Sequence, residues 1–192
     1  MTTEKLKATD TVSSGMTCNT KTGEDAKATG LFEIKCHDKD GNLKWEAQSK
    51  NLVVNVGLAY MAGTALTSVA QITTWYLGLY GAASSNNPAA ADTMTSHAGW
   101  TEVVAYSNAT RVAATFVTAT TANPSVATNT ASPAVFNING TATVGGAFLT
   151  SGSAKSGTAG TLFSAADFGS PGDRSVVNSD TLSVTYTFSL AA

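Results

Sequence analysis

The stretch TLSVTYTFSL, Thr181 to Leu190, decides the fold. Leu182, Val184, Tyr186, Phe188 and Leu190 alternate with Ser183, Thr185, Thr187 and Ser189. Side chains two apart share one face of a β-strand. The alternation therefore predicts a strand with one apolar face turned to a core and one hydroxyl-lined face turned away from it.

The same signal recurs upstream. In TTWYLGLYG (73–81), Trp75, Leu77 and Leu79 face one way and Tyr76, Gly78 and Tyr80 the other. A strand apolar on both faces is covered on both, and a glycine within it lets another group approach the backbone closely. WTEVVAY (100–106), RVAATFVT (111–118), AVFNINGTATV (134–144), GGAFLTS (145–151) and GTLFSA (160–165) are further strand candidates. LFEIKCHDKDGNLKWEAQ (31–48) reads as a β-hairpin, with Phe32, Ile34 and Cys36 on one face, Leu43, Trp45 and Ala47 after the break, and Asp40-Gly41 as a tight turn. DKDGN resembles the start of a calcium loop, but the rest of the twelve-residue pattern, including its closing glutamate, is missing.

Turn-rich breaks separate these candidates: TTANPSVATNTASP (120–133), SGSAKSGTAG (151–160) and GSPGDRS (169–175). One helix is expected within NLVVNVGLAYMAGTAL (51–66), capped by Asn51 or Asn55 and ended by Gly63, with Val56, Tyr60 and Met61 on one face. About eight short strands with such spacing predict an all-β domain, a β-sandwich or jelly roll, over residues 31–192. Residues 1–30 show no period and almost no large apolar side chains. Alone they cannot offset their ordering entropy, so they read as an extended N-terminal arm that orders against a partner.

Composition narrows the function. Only 12% of the 192 residues are charged and the net charge is −2. Serine and threonine make up about a quarter of the chain, so the surface is polar without being ionic and can be buried against another protein at low desolvation cost. Residues 1–50 hold eight lysines and eight acids; beyond them only Arg111, Lys155 and Arg174 are basic, against five acids. No basic stripe marks a nucleic-acid partner, and no run is long enough for a membrane-spanning helix. The opening MTTEKLKATD lacks an apolar leader core, so assembly in a reducing cytosol is expected, with Cys18 and Cys36 as free thiols. Two cysteines with His37 beside one of them do not make a zinc site.

Chemistry is thinly represented. Asp92, His97 and Glu102 form the one constellation worth weighing for catalysis, yet no nucleophile elbow accompanies it, and Asp92 is placed to cap a short helical turn over TMTSHAGW. Asp173 and Asp180 sit in turn contexts that favour local backbone bonding. The glycine-rich segments lack the Gly-Lys-Ser/Thr ending of a phosphate loop. The reading is of a protein that is not an enzyme and carries no cofactor or metal. Trp75, Tyr76, Tyr80 and Trp100 read as strand anchors around an exposed Ala/Ser/Asn loop, and with Asn86, Asn87 and Pro88 they are the candidate interaction residues.

WYLGLYG, ADTMTSHAGWTEVVAYSNATR, ATVGGAFLTS, GTLFSAADF and SDTLSVTYTF form an ordered series. It resembles a group of small virion proteins of tailed bacteriophages, over roughly residues 31–192, with DTMTSHAGWTE the most specific part. The resemblance implies a head decoration or cement protein, an oligomer (dimer or trimer) bound to the major capsid protein on the outside of the assembled head. Its location would be the virion surface, after synthesis in the host cytoplasm. The alternatives are a tail or fibre component, a virion-displayed carbohydrate-binding sandwich that stacks sugars on the aromatics, and a hydrolase centred on His97.

Overall fold

The computed structural model describes residues 26–82, 87–169 and 172–192. In chain order the elements are β1 (Lys27–His37), β2 (Leu43–Lys50), β3 (Leu52–Val53), α1 (Asn55–Leu66), β4 (Trp75–Ala82), β5 (Trp100–Val103) and β6 (Val112–Ala114). They continue with β7 (Ser125–Thr128), β8 (Ala134–Asn137), β9 (Ala142–Val144), β10 (Gly146–Thr150), β11 (Leu162–Asp167), β12 (Arg174–Val176) and β13 (Thr181–Ala191). The chain is mainly β and sandwich-like, as the alternation predicts. Residues 1–25 of the expected arm lie outside the described residues. Residues 27–30, assigned above to the arm, belong to β1, because Lys27 to Gly30 are in register with Phe188 to Ala191 of β13.

One sheet runs β2-β1-β13, with β7 and β8 sharing the far edge of β13; the other runs β3-β11-β10-β4, with β5 and β6 sharing the far edge of β4. β9 and β12 form a separate antiparallel pair. The β1–β13 ladder is unbroken from Lys27↔Ala191 to His37↔Thr181. On β13, Leu182, Val184 and Tyr186 are fully buried, and toward the end of the strand the alternation fades, with Leu190 exposed. They meet Phe32, Ile34 and Cys36 of β1 and, from the facing sheet, Leu77, Leu79, Ala147 and Leu149. The intervening residues of the second sheet point the other way. Tyr80 and Phe148 join Trp100, Met94 and Leu162 in a second apolar cluster on that sheet's outer face. Strand β4 is thus covered on both sides, as its sequence requires, and the ring of Phe148 lies over Gly78, where a Cβ would collide with it.

β7 falls inside a segment that reads as a turn-rich break, and its place depends on one side chain. β8 pairs with Thr181–Val184 and β7 with Thr187–Leu190, which leaves a gap on the edge of β13. Buried Asn129 fills it. Its Oδ1 accepts from the Tyr186 N–H at 2.6 Å, its Nδ2 donates to the Val184 carbonyl at 3.2 Å, and its own N–H donates to the Tyr186 carbonyl at 3.3 Å. One amide thus supplies the donor and acceptor that a continuous strand would have supplied.

The helix departs from expectation at both ends. Its N-cap is Val54, with no side-chain cap, and Gly63 does not end it. Asn51 lies outside the helix and donates to the Tyr186 hydroxyl at 2.7 Å. Gly57 and Gly63 are its buried positions. A Cβ at Gly57 would strike the Phe163 carbonyl of β11, and one at Gly63 would crowd Val69. Both glycines therefore serve close packing.

Asp38 organises the first hairpin: its Oδ1 accepts from the N–H groups of Asp40 and Asn42, both at 2.9 Å, and Gly41 takes φ +84°. Bonds from Asn42, backbone first, hold the Asp38 carboxyl below its ordinary range. At the same end of this sheet, where His37 pairs with Thr181, buried Asp180 accepts from Lys44 at 2.5 Å and from the Val177 N–H at 2.8 Å, the local backbone bond its turn context suggests.

Burial has a consequence at alkaline pH. The Cys36 thiol is pushed up from 9.0 to about 11, by burial first and by the nearby Asp180 charge second. Burial likewise raises the hydroxyls of Tyr80, Tyr106 and Tyr186 well above the ordinary tyrosine value. All four groups stay protonated in the native state after the unfolded chain has begun to lose those protons. Their contribution is fully present below about pH 9 and is lost as pH rises. The urea midpoint is expected to fall between about pH 9 and 11, and tyrosinate absorbance from the three buried rings to appear together with unfolding. A flat midpoint over that window, or full tyrosine titration of the folded protein, would contradict this account.

Candidate functional site

The segment between Trp75 and Trp100 holds most of the sequence-derived candidates, and the fold separates them. Trp100 is 3% exposed and Tyr80 fully buried. Their rings sit 5.1 Å apart, and Trp100 lies 5.1 Å from Phe148. Neither can meet a partner, because both are needed to cover the outer face of the second sheet. This corrects their assignment as interaction residues. Trp75 and Tyr76 are half-buried, Asn87 is exposed and Pro88 half-buried. Asn86 lies outside the described residues.

Asp92 and His97 both serve Trp100. Asp92 does not cap a following helical turn, which corrects that expectation. Its Oδ2 instead accepts from the preceding Ala89 N–H at 2.9 Å and from the Trp100 indole N–H at 3.0 Å. The forward turn is closed by Thr93, whose hydroxyl accepts from the Ser96 N–H at 3.0 Å. The His97 ring stacks on Trp100 at 3.9 Å, with Nδ1 3.0 Å from the Trp100 carbonyl oxygen. A carbonyl can only accept, so Nδ1 carries the hydrogen. An indole that needs a hydrogen-bond partner when buried finds a carboxylate, and the loop carrying both is fastened to the sheet.

Glu102, the third member of the suspected constellation, turns away to a residue that sequence reasoning left without a role. Arg111 is 1% exposed. Its Nε and Nη2 donate to the two carboxylate oxygens of Glu102 at 2.9 and 2.8 Å. Nη1 donates to the Gly152 carbonyl and Nη2 also to that of Gly157, each at 2.9 Å. The Ser156 N–H donates to Glu102 at 2.7 Å, and the guanidinium lies 5.2 Å from the Phe148 ring centroid. Such a fork is bidentate, desolvated and almost fully satisfied. It pins the glycine-rich loop 151–160 over the outer cluster and has little capacity left for a ligand. A cavity of about 240 Å³ beside it is lined by Met94, His97, Thr101, Ser156 and Thr158 among others.

A larger cleft, about 570 Å³, opens where α1 and residues 71–75 meet β6 and the end of β13. Tyr60, Trp75, Phe163 and Phe188 form a chain of edge-to-face contacts along it, with centroids 5.3–5.4 Å apart. Its lining carries no charged side chain. Cleft and helix together are uncharged, and the cleft sets aromatic and aliphatic side chains beside the amide of Gln71 and the hydroxyls of Thr73, Thr74 and Thr115. Among the described residues no group of three or more His, Cys, Asp or Glu side chains could hold a metal ion, and no helix is long and apolar enough to cross a membrane.

The class these features define is a mainly β, sandwich-like protein whose buried ionisable groups bind loops and strands to one another. Comparison with family models, with curated proteins and with solved structures returned no match to this chain.

Proposed function

We propose that this chain is a non-enzymatic virion structural protein, a decoration or cement protein on the outside of a tailed-bacteriophage head, bound to the major capsid protein. The sequence resemblance motivates the reading. The observation that carries it is the use of the buried ionisable groups: Asp92 holds a loop and an indole, Glu102 and Arg111 hold loop 151–160, and Asp180 holds Lys44 and a turn. Reactive groups spent on rigidity leave a stiff body with a polar, weakly charged surface. A protein that binds only the assembled lattice adds its binding energy to that state. Copies tethered to one another gain by effective concentration. The carbohydrate-binding alternative loses two of its stacking platforms, since sugar stacking needs an open ring face and Tyr80 and Trp100 have none.

The test is a capsid-retention assay with the full chain and a chain lacking residues 1–25. β1 begins at Lys27, so the truncated domain keeps its central ladder and is expected to fold. The full chain should bind heads in hundreds of copies and raise the temperature at which they release DNA; the truncated chain should be lost from them. No binding to heads by the full chain, or a copy number of a handful per particle, would overturn the reading. Equal occupancy by the truncated chain would overturn the role of the arm.

A further inference from the structure

From Asn51 to Ala91 the chain carries no Lys, Arg, Asp or Glu, forty-one residues in a row. At 12% charged residues overall, about five would be expected there. Part of this run is the core strand β4, where the absence of charge needs no comment. Most of the other described residues of the run are exposed or half-buried. Helix α1 is apolar or uncharged all round, yet Leu58 is 45% exposed, Leu66 85%, and Val69 just beyond it 47%. Ala59, Ala62 and Ala65 are exposed with them. Helices apolar on every face are ordinarily buried on every face. Here the inner side, with Gly57 and Gly63, packs against the domain, and the outer side is left exposed by the described residues.

We propose that the outer face of α1 is a two-fold interface with a second copy of this chain, the helices packing antiparallel about Ala62. Three observations select that occupant. Leu58, Ala62 and Leu66 lie four residues apart along one ridge, so the ridge reads the same from either end. A two-fold interface requires such self-complementarity. Antiparallel pairing sets Ala62 against its counterpart, where small side chains permit close approach, and each Leu58 against the other copy's Leu66. Second, the surface has no charge to recognise or orient an ionic partner, and a second copy buries it without desolvating a single ion. Residues 1–25 of this chain carry seven charges and suit it poorly. Third, the exposed surface approaches the size a dimer needs. The helix alone is a ridge only about 18 Å long. The mostly exposed segment 67–74 follows it directly, and the Asn55 N–H bonds the Ala90 carbonyl at 2.8 Å, holding 87–91 alongside. Of residues 55–74 and 87–91 seventeen are exposed, whereas Val56, Tyr60 and Met61 pack against the apolar clusters. A standard interface uses roughly 20–30 residues a side, so this is a face at the small end of that range. The inference stands apart from the capsid reading and places Asn87 and Pro88 at its margin.

Sedimentation equilibrium of the full chain tests it. Wild type is expected to be a dimer at micromolar concentration. Leu58→Glu and Leu66→Lys each place a charge against a leucine twice per dimer and should weaken association at least ~100-fold. Both sites are exposed in the single copy, and an acid early and a base late in a helix suit its dipole, so the variants should keep the wild-type circular dichroism. The double variant sets each Glu against the partner's Lys and should recover much of the loss. Ala62→Cys in a Cys18→Ser background should cross-link under mild oxidation, Cys36 being buried, whereas Val177→Cys should not. A monomeric wild type overturns the proposal, as does a dimer indifferent to both single variants. A double variant weaker than either single one overturns the antiparallel arrangement. Loss of head binding by the single variants of a chain that is already monomeric would assign the face to the capsid instead, and overturn the proposal too.

Discussion

Arg111→Ala is expected to cost about 3–5 kcal/mol of folding stability, the largest loss from any single side chain outside the apolar core. The guanidinium is 1% exposed and makes four hydrogen bonds, two to Glu102 and two to the carbonyls of Gly152 and Gly157. Truncation removes all four and strands a carboxylate that is 6% exposed, with the Ser156 N–H as its remaining strong donor. Two loop carbonyls also lose their partner, and Phe148 loses the plane packed over it. Stability of an ordinary domain is about 5–15 kcal/mol, so this one change removes a large share of it. The breakage, not the net worth of the pair, sets the size: replacing both partners, as in Arg111→Met with Glu102→Leu, should cost less than Arg111→Ala alone. Urea unfolding followed by tryptophan fluorescence measures both variants against the wild type. A loss below about 1 kcal/mol for Arg111→Ala would mean that water reaches the pair, and that the loop 151–160 is not held by it.

Asn129→Ala should cost about 2–4 kcal/mol, because it leaves the Tyr186 N–H and the Val184 carbonyl unpaired where neither meets water. Asn129→Asp is the sharper test. The carboxylate still accepts from Tyr186 but cannot donate to Val184, and it is a charge buried against a carbonyl. Its folded pKa would be raised by burial, so its stability is greatest when protonated and is lost as pH rises. Asn129→Asp should therefore approach wild type near pH 4 and fall behind it at pH 7, while the deficit of Asn129→Ala stays the same. Equal deficits at both pH values would show that the gap between β7 and β8 admits solvent.

The two predictions mark the kind of information that the sequence withholds. Glu102 on β5 and Arg111 just before β6 are nine residues apart, and nothing in WTEVVAYSNATR distinguishes a fork buried under a loop from two solvated surface charges. Asn129 stands in a stretch of Thr, Ala, Asn and Ser that has every mark of a loop. It becomes a sheet residue only because two short strands end on either side of it. Asp92 was legible as a residue that binds locally, but the direction was not: the same carboxylate could reach forward to a turn or back to Ala89 and across to an indole.

What the sequence determined by itself is what a short-range period can determine. The alternation of Thr181–Leu190 and of Trp75–Tyr80 fixes strands, their buried faces and an all-β class, since burial on a pleated strand repeats every two residues whatever lies opposite. The Asp40-Gly41 turn and the close approach at Gly78 follow from backbone geometry and were readable for the same reason. Only the tertiary structure decided that β1 pairs along its whole length with β13, more than 140 residues away, and that β4 carries two cores on its two faces. It also decided that Tyr80 and Trp100 are inside and Leu58 and Leu66 outside. Apolar side chains are free to cover a sheet, a helix or another molecule at similar gain, because the hydrophobic effect has no direction. Which surface each one covers depends on the positions of all the others.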